Sequence, residues 1–141
     1  MTKQTMTQYS VPVPNEPGTL HKVTQVLYRE GVNLTGIMTE SLGNAAFIHF
    51  LADKENNIPK LLKSAGFQVL ENQVFCLELP NRPGELNRLA KRLGDEDINI
   101  LNVYGATNGG ETARVILVVN EPDKAKPILA EWTQKAYATH N

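Results

Sequence analysis

The hexapeptide Asn15-Glu16-Pro17-Gly18-Thr19-Leu20 returns sixty-six residues later as Asn81-Arg82-Pro83-Gly84-Glu85-Leu86. The identity is not confined to this stretch. With the same offset and no gap, Pro14 meets Pro80, Leu27 meets Leu93, Glu30 meets Glu96 and Asn33 meets Asn99. One inserted residue, expected in a hairpin loop, then brings AFIHFLAD (46–53) onto ARVILVVN (113–120). A duplicated supersecondary unit explains this register. The 141 residues thus divide into unit 1, residues 7–72, and unit 2, residues 73–141. A unit of ~65 residues buries too little surface to be comfortable alone, which favours two units that share an interface.

Each copy reads as strand, helix, strand, strand, helix, strand. QYSVPVP and VFCLELP alternate as strands, although Pro12 lacks a ladder donor and points to a free edge or a flaw. Leu20, Val23 and Leu27, and likewise Leu86, Leu89 and Leu93, recur at helical spacing. GVNLTGIMTE and DINILNVYGA read as second strands. SLGN and TNGG carry hairpin turn residues. AAFIHFLAD and TARVILVV are apolar return strands, followed by second helices, with Pro59 and Pro127 expected in or near a first helical turn. GFQVLENQ closes unit 1 with a short strand. TQKAYATHN offers only Ala136 and Tyr137 for the corresponding strand, so in unit 2 it is weak, missing or replaced by a longer helix. The order is the split βαβ, ferredoxin-like arrangement of an α+β fold.

The repeated turn precedes a helix. Pro presets its φ, and Gly lets the backbone approach something closely. The helix start behind it presents free N–H groups and a partial positive charge. The amides of Asn15 and Asn81 can donate and accept, suiting a carboxylate or an ammonium, or they can serve as helix caps. Asn33 and Asn99 interrupt apolar runs at the head of the second strand, where Asn is disfavoured. In a split βαβ fold that strand head is expected not far from the first turn, so they either end the helix-to-strand connection or face the same ligand.

These motifs, N-x-P-G-x-L after strand one with GVNL and DINI at strand two, resemble a tandem ACT domain protein over about Tyr9 to Trp132. The resemblance implies two units side by side in one extended antiparallel sheet with helices on one face, and a free amino acid held between them. It implies one site from Asn15, Glu16, Pro17, Gly18, Thr19 and Leu20 with Asn99, and a second from Asn81, Arg82, Pro83, Gly84, Glu85 and Leu86 with Asn33. Arg82 in place of Glu16, and Glu85 in place of Thr19, make the two turns unequal in charge. The implied role is a regulator or sensor acting on an enzyme or a transcription factor; half-open sheets leave edges and helix faces to cover, which favours a homodimer. The alternative is a protein-interaction or regulatory subunit with no ligand of its own.

Other chemistries find little support. Lone Cys76, in an apolar strand, reads as a small buried hydrophobe. His21, His49 and His140 lack metal-ligand spacing. The carboxylates of DEDINI lack the spacing of a calcium loop and read as a solvated loop. NGGE joins two strands rather than opening a helix, unlike a phosphate loop. The expectation is therefore no catalytic residue, no metal and no cofactor. A formal net charge of -1 and the lack of a basic-glycine-aromatic signature argue against nucleic acid. A polar start and short apolar runs argue against a signal peptide or a membrane span, leaving the cytoplasm as the expected compartment.

Overall fold

A computed structural model describes residues 5–54 and 57–138, with side chains through residue 132. The elements are β1 (Thr5–Pro14), α1 (Thr19–Arg29), β2 (Leu34–Leu42), β3 (Ala45–Ala52), α2 (Ile58–Ser64), β4 (Leu70–Pro80), α3 (Glu85–Asp95), β5 (Ile100–Ala106), β6 (Thr112–Val119) and α4 (Pro122–Ala138). This is the ferredoxin-like α+β order. Two compact units contain residues 7–72 and residues 73 onward, the latter joined by Thr5 and Met6.

In the N-terminal unit β3 pairs antiparallel with β1 and β2. Pro12 stands opposite Phe47, and the β1–β3 register runs through it unshifted from Tyr9↔Phe50 to Pro14↔Ala45. The expected flaw is therefore not in this ladder. The core gathers Tyr9, Val11, Val13, Val23, Leu27, Ile48, Phe50, Ile58 and Leu62, with the Tyr9 and Phe50 rings stacked 5.3 Å apart. Strand alternation and helical spacing deliver these side chains to one layer.

The C-terminal unit repeats the plan, with β6 between β4 and β5. Its core holds Phe75, Leu77, Leu79, Leu89, Leu93, Ile98, Val115, Leu117, Val119, Ala125 and Leu129. The extra residue of the second copy lies in the hairpin loop, as the registers Pro14↔Ala45 and Pro80↔Thr112 require.

Three sequence expectations need correction or refinement. GFQVLENQ and VFCLELP do not form separate strands: β4 runs unbroken from Leu70 to Pro80, because no Gly or Pro between them supplies a turn. Pro127 lies near the first helical turn but not in it, since α4 starts at Pro122 and carries Pro127 inside. Ala136 and Tyr137 continue this helix rather than forming a strand.

Two of the three carboxylates of DEDINI have ion-pair partners. Asp95 pairs with Lys91 and Glu96 with Arg92, each at 2.8 Å. Asp97 sits at φ 61 just past α3, with Ile98 N–H bonded to Leu93 O at 3.0 Å. The first copy has Gly31 there at φ 68. Left-handed backbone favours glycine at this helix end. Asp97→Gly is therefore expected to stabilise the protein by about 1 kcal/mol, read as a higher urea midpoint with unchanged slope; a lower midpoint would contradict this.

Candidate functional site

The two Pro-Gly turns are built alike. Gly18 and Gly84 each stand before the helix in the left-handed region, at φ 87 and 89. No atom lies within 4 Å of a Cβ added at Gly18, so there the backbone angle, and not close approach, demands glycine. Neither helix has a side-chain cap, so the asparagines are not caps. Instead each ties its turn to the unit's hairpin. Asn15 N–H donates to Asn44 O at 2.8 Å and its Nδ2 to Gly43 O at 3.1 Å. Asn81 N–H donates to Glu111 O at 2.8 Å, and its Nδ2 reaches Gly110 O at 2.8 Å and Thr107 Oγ1 at 3.2 Å.

Asn33 and Asn99 lie elsewhere within their own units. Asn33 N–H donates to Asp53 Oδ1 at 3.0 Å, and Asn99 N–H to Asn120 Oδ1 at 2.9 Å. Those partners follow the far ends of β3 and β6. β5 holds seven residues, so at ~3.3 Å per residue its two ends are roughly 20 Å apart. The expectation that a strand head lies near its own first turn fails, because α1 and α3 carry the chain back along the sheet before the next strand begins.

The far end of β5, by contrast, comes back to the turn. Between them is a cleft of about 320 Å³ bounded by Asn81, Arg82, Glu85 and Leu86 on one side and Val103–Thr107 on the other. Its floor includes Leu79, Ala113 and Val115. The ladder explains the floor: Leu79 pairs with Ala113, and Val115 with both Leu77 and Gly105. Gly105 has almost no room for a side chain, as a Cβ there would be 2.5 Å from Arg114 O. Leu86, expected on the buried stripe of α3, is instead 47 % exposed and lines this cleft.

At the rim, Glu85 is 4 % exposed and accepts hydrogen bonds from Arg82 Nε and Arg88 Nη2. The first turn carries Glu16, Thr19 and Lys22 at these positions, and Thr19 Oγ1 merely closes the turn on Glu16 O at 3.1 Å. The charge difference seen in the sequence thus becomes a structural one.

The opposite face of the C-terminal hairpin bears a more open depression of about 470 Å³, where Glu78 and Arg114 meet amid Thr107, Asn108 and Thr112. Nearby, burial pushes the Cys76 thiol up, partly opposed by a hydrogen bond and the charge of Arg114. Burial, helped by Cys76 and opposed by Arg114, pushes the Tyr104 phenol up to about 12. The folded state therefore keeps Tyr104 neutral where the unfolded chain has ionised it. Its stabilising contribution is present below pH ~10 and is lost as pH rises from there through about 12. Tyr104→Phe should flatten the stability loss over that window in pH-dependent melting; an unchanged slope would contradict the assignment.

Ser10, His49 and Glu40 form a chain in the N-terminal unit, with Ser10 Oγ 2.7 Å from His49 Nδ1 and His49 Nε2 2.6 Å from Glu40 Oε1. The order is that of a hydrolase relay. Ser10, however, is 2 % exposed, so no substrate reaches its hydroxyl, and the chain satisfies buried polar groups. His21 is exposed on α1, and His140 lies outside the described residues.

Residues 4–139 match the model of the ACT domain pair. The chain belongs to the ACT domain pair family. Members of this family are regulatory modules. Among solved structures, protein BT0572 from Bacteroides thetaiotaomicron is 26% identical, with TM-score 0.84 over 91% of this chain and 88% of that one. The regulatory subunit of aspartate kinase from Thermus flavus shares the fold at TM-score 0.69 and 15% identity, over 96% and 94% of the two chains. That from Thermus thermophilus, in ligand-free form, gives TM-score 0.64 and 16% identity over 95% and 93%. No curated protein matches this ACT pair in sequence. None of its described helices is long and apolar enough to cross a membrane.

The sequence pointed to the turn residues but not to Val103–Thr107, Ala113 or Val115, which complete the cleft. The available signal was size: Gly105 and Ala106 stand where the first copy has Thr39 and Glu40.

Proposed function

We propose that this ACT pair is a regulatory protein that binds a free amino acid in the cleft of its C-terminal unit. The observation that carries the reading is the convergence of the Asn81–Leu86 turn and the end of β5 on one apolar-floored cavity of about 320 Å³. That size is at the lower end for small-molecule sites, and the mixture of apolar lining with a few polar groups is typical of them. A ligand there touches both the first turn of α3 and β5, favouring one arrangement of the two. A partner that distinguishes arrangements, an enzyme or a transcription factor, then responds to the amino acid. The regulatory subunits of aspartate kinase with the same fold support such a role by analogy. The turn at Asn15–Leu20, which lacks the arginine–glutamate cluster, is the weaker site in this reading. A homodimer is the assembly proposed.

The test is thermal melting of the whole chain against the twenty amino acids. At a hundred times its Kd, a ligand adds about 2.7 kcal/mol, a rise of several degrees for a chain of this size. At least one amino acid should give that rise, and light scattering should give twice the 15.6 kDa chain mass. No shift with any of them would contradict the ligand reading, and a monomer would contradict the assembly.

The other reading, a subunit that docks on an enzyme without a ligand, draws on exposed apolar side chains, Leu42 at 88 % and Tyr28 at 79 %. It gains if no amino acid shifts melting and a stable partner co-purifies.

A further inference from the structure

We propose that Asn108, in the loop between β5 and β6, is a site of spontaneous deamidation, and that the isoaspartate formed there unties the Asn81–Leu86 turn from the hairpin. Of the asparagines in the chain, Asn108 alone is followed by glycine. Both residues are exposed, so water reaches the bond between them. No atom lies within 4 Å of a Cβ added at Gly109, and with no side chain of its own this residue leaves its backbone nitrogen open to approach the neighbouring amide. The loop adds a second feature. Gly110 N–H donates to Asn108 Oδ1 at 3.1 Å. When the Gly109 nitrogen attacks Asn108 Cγ, negative charge develops on that oxygen, and a donor already aimed at it lowers the barrier. The attack has to release the Gly109 N–H from Thr107 Oγ1, a bond of 3.2 Å at the long end of the usual range.

The attack forms a bond from the Gly109 nitrogen to Asn108 Cγ and breaks the bond to the amide nitrogen. Ammonia leaves, carrying off the Gly109 proton, and a cyclic succinimide results. Water then adds to one of its two carbonyls. Opening at Cγ gives aspartate; opening at the main-chain carbonyl gives isoaspartate, whose main chain passes through Cβ and Cγ. No oxidant or reductant is required.

The loop is also the anchor of the turn. Asn81 Nδ2 donates to Thr107 Oγ1 at 3.2 Å and to Gly110 O at 2.8 Å, and the Asn108–Gly109 link joins those two partners. Isoaspartate puts an extra backbone atom between them, so one side-chain amide no longer spans both. Glu111, whose carbonyl accepts the Asn81 N–H, shifts with Gly110. In the first unit Asn15 ties to Gly43 and Asn44, and Asn44 is followed by Ala45, so the effect belongs to the second turn. Resting on the amino-acid reading, affinity of the C-terminal cleft then declines as the molecule ages.

Ageing the full chain in mildly alkaline buffer, followed by peptide mass mapping, tests the chemistry. Asn108 should deamidate at least tenfold faster than any other asparagine, and an isoaspartyl methyltransferase should label aged wild type but not aged Asn108→Gln. Conversion at Asn108 no faster than elsewhere, or aspartate without isoaspartate, would overturn the proposal. Hydrogen exchange read by NMR tests the untying without any ligand. The Asn81 backbone amide should exchange at least tenfold faster in aged than in fresh protein. Fresh Asn108→Asp, which adds the charge but no backbone atom, should stay within threefold of wild type. Unchanged Asn81 exchange in the isoaspartyl protein, or equally fast exchange in fresh Asn108→Asp, would overturn the untying. Affinity for the amino acid that raises the melting temperature should fall at least fivefold on ageing and hold in Asn108→Gln. Unaltered affinity despite faster Asn81 exchange would overturn the link to the cleft. Failure of every amino acid to bind would overturn the amino-acid reading and leave the deamidation site standing.

Discussion

Phe75→Ala should destabilise the protein by roughly 3–5 kcal/mol. Phe75 is fully buried at the centre of the C-terminal core, in the cluster that includes Leu77, Leu89, Leu93 and Leu117. Removing its ring forfeits burial and leaves a cavity that close-packed neighbours cannot fill. Against a total stability of about 5–15 kcal/mol, that loss threatens the unit carrying the cleft. A urea titration of the variant should show a midpoint far below the wild-type value; a change under about 1 kcal/mol would mean that this cluster is not the core of the unit.

Ala113→Phe carries the second large effect, on binding rather than folding. Ala113 is partly exposed on the floor of the cleft, in register with Leu79. A phenyl group there occupies the space assigned to the ligand, and because the cleft is open to solvent, the ring enters no close-packed core. Affinity for the amino acid that raises the melting temperature should fall at least a hundredfold, about 2.7 kcal/mol, while the unliganded variant melts within a few degrees of wild type. Calorimetry and melting of the same sample check both halves. Binding retained within threefold would place the ligand outside this cleft.

Much of the architecture was legible in the sequence because its signals are local. Leu89 and Leu93 lie one turn apart and pack in the core, Pro-Gly precedes both α1 and α3, and the offset of sixty-six residues exposed the duplication. Failures arose where structure depends on residues distant in sequence or on the lack of a break. Asn81 looked like a cap or a ligand contact, yet its amide partners lie twenty-six and twenty-nine residues away on the hairpin loop. No local pattern announces such a bond. β4 was divided into two strands because the repeat boundary falls inside it, although the backbone has no reason to turn there.

The candidate site was half legible for the same reason. Asn81–Leu86 form a motif that can be read directly. Gly105 and Ala113 contribute by being small, on two strands brought to the turn by pairing, and a small residue in a strand carries no motif. The buried Glu85, gripped by Arg82 and Arg88, was visible only as a change of charge from the first turn; burial of that carboxylate is a property of the fold.

The claim that the C-terminal cleft holds a free amino acid is tested most directly by an amide-resolved NMR titration of the labelled chain with the amino acid that raises its melting temperature. The account predicts saturable shifts concentrated at Asn81–Leu86 and Val103–Thr107. Saturable shifts that leave both segments unmoved and cluster elsewhere would contradict it.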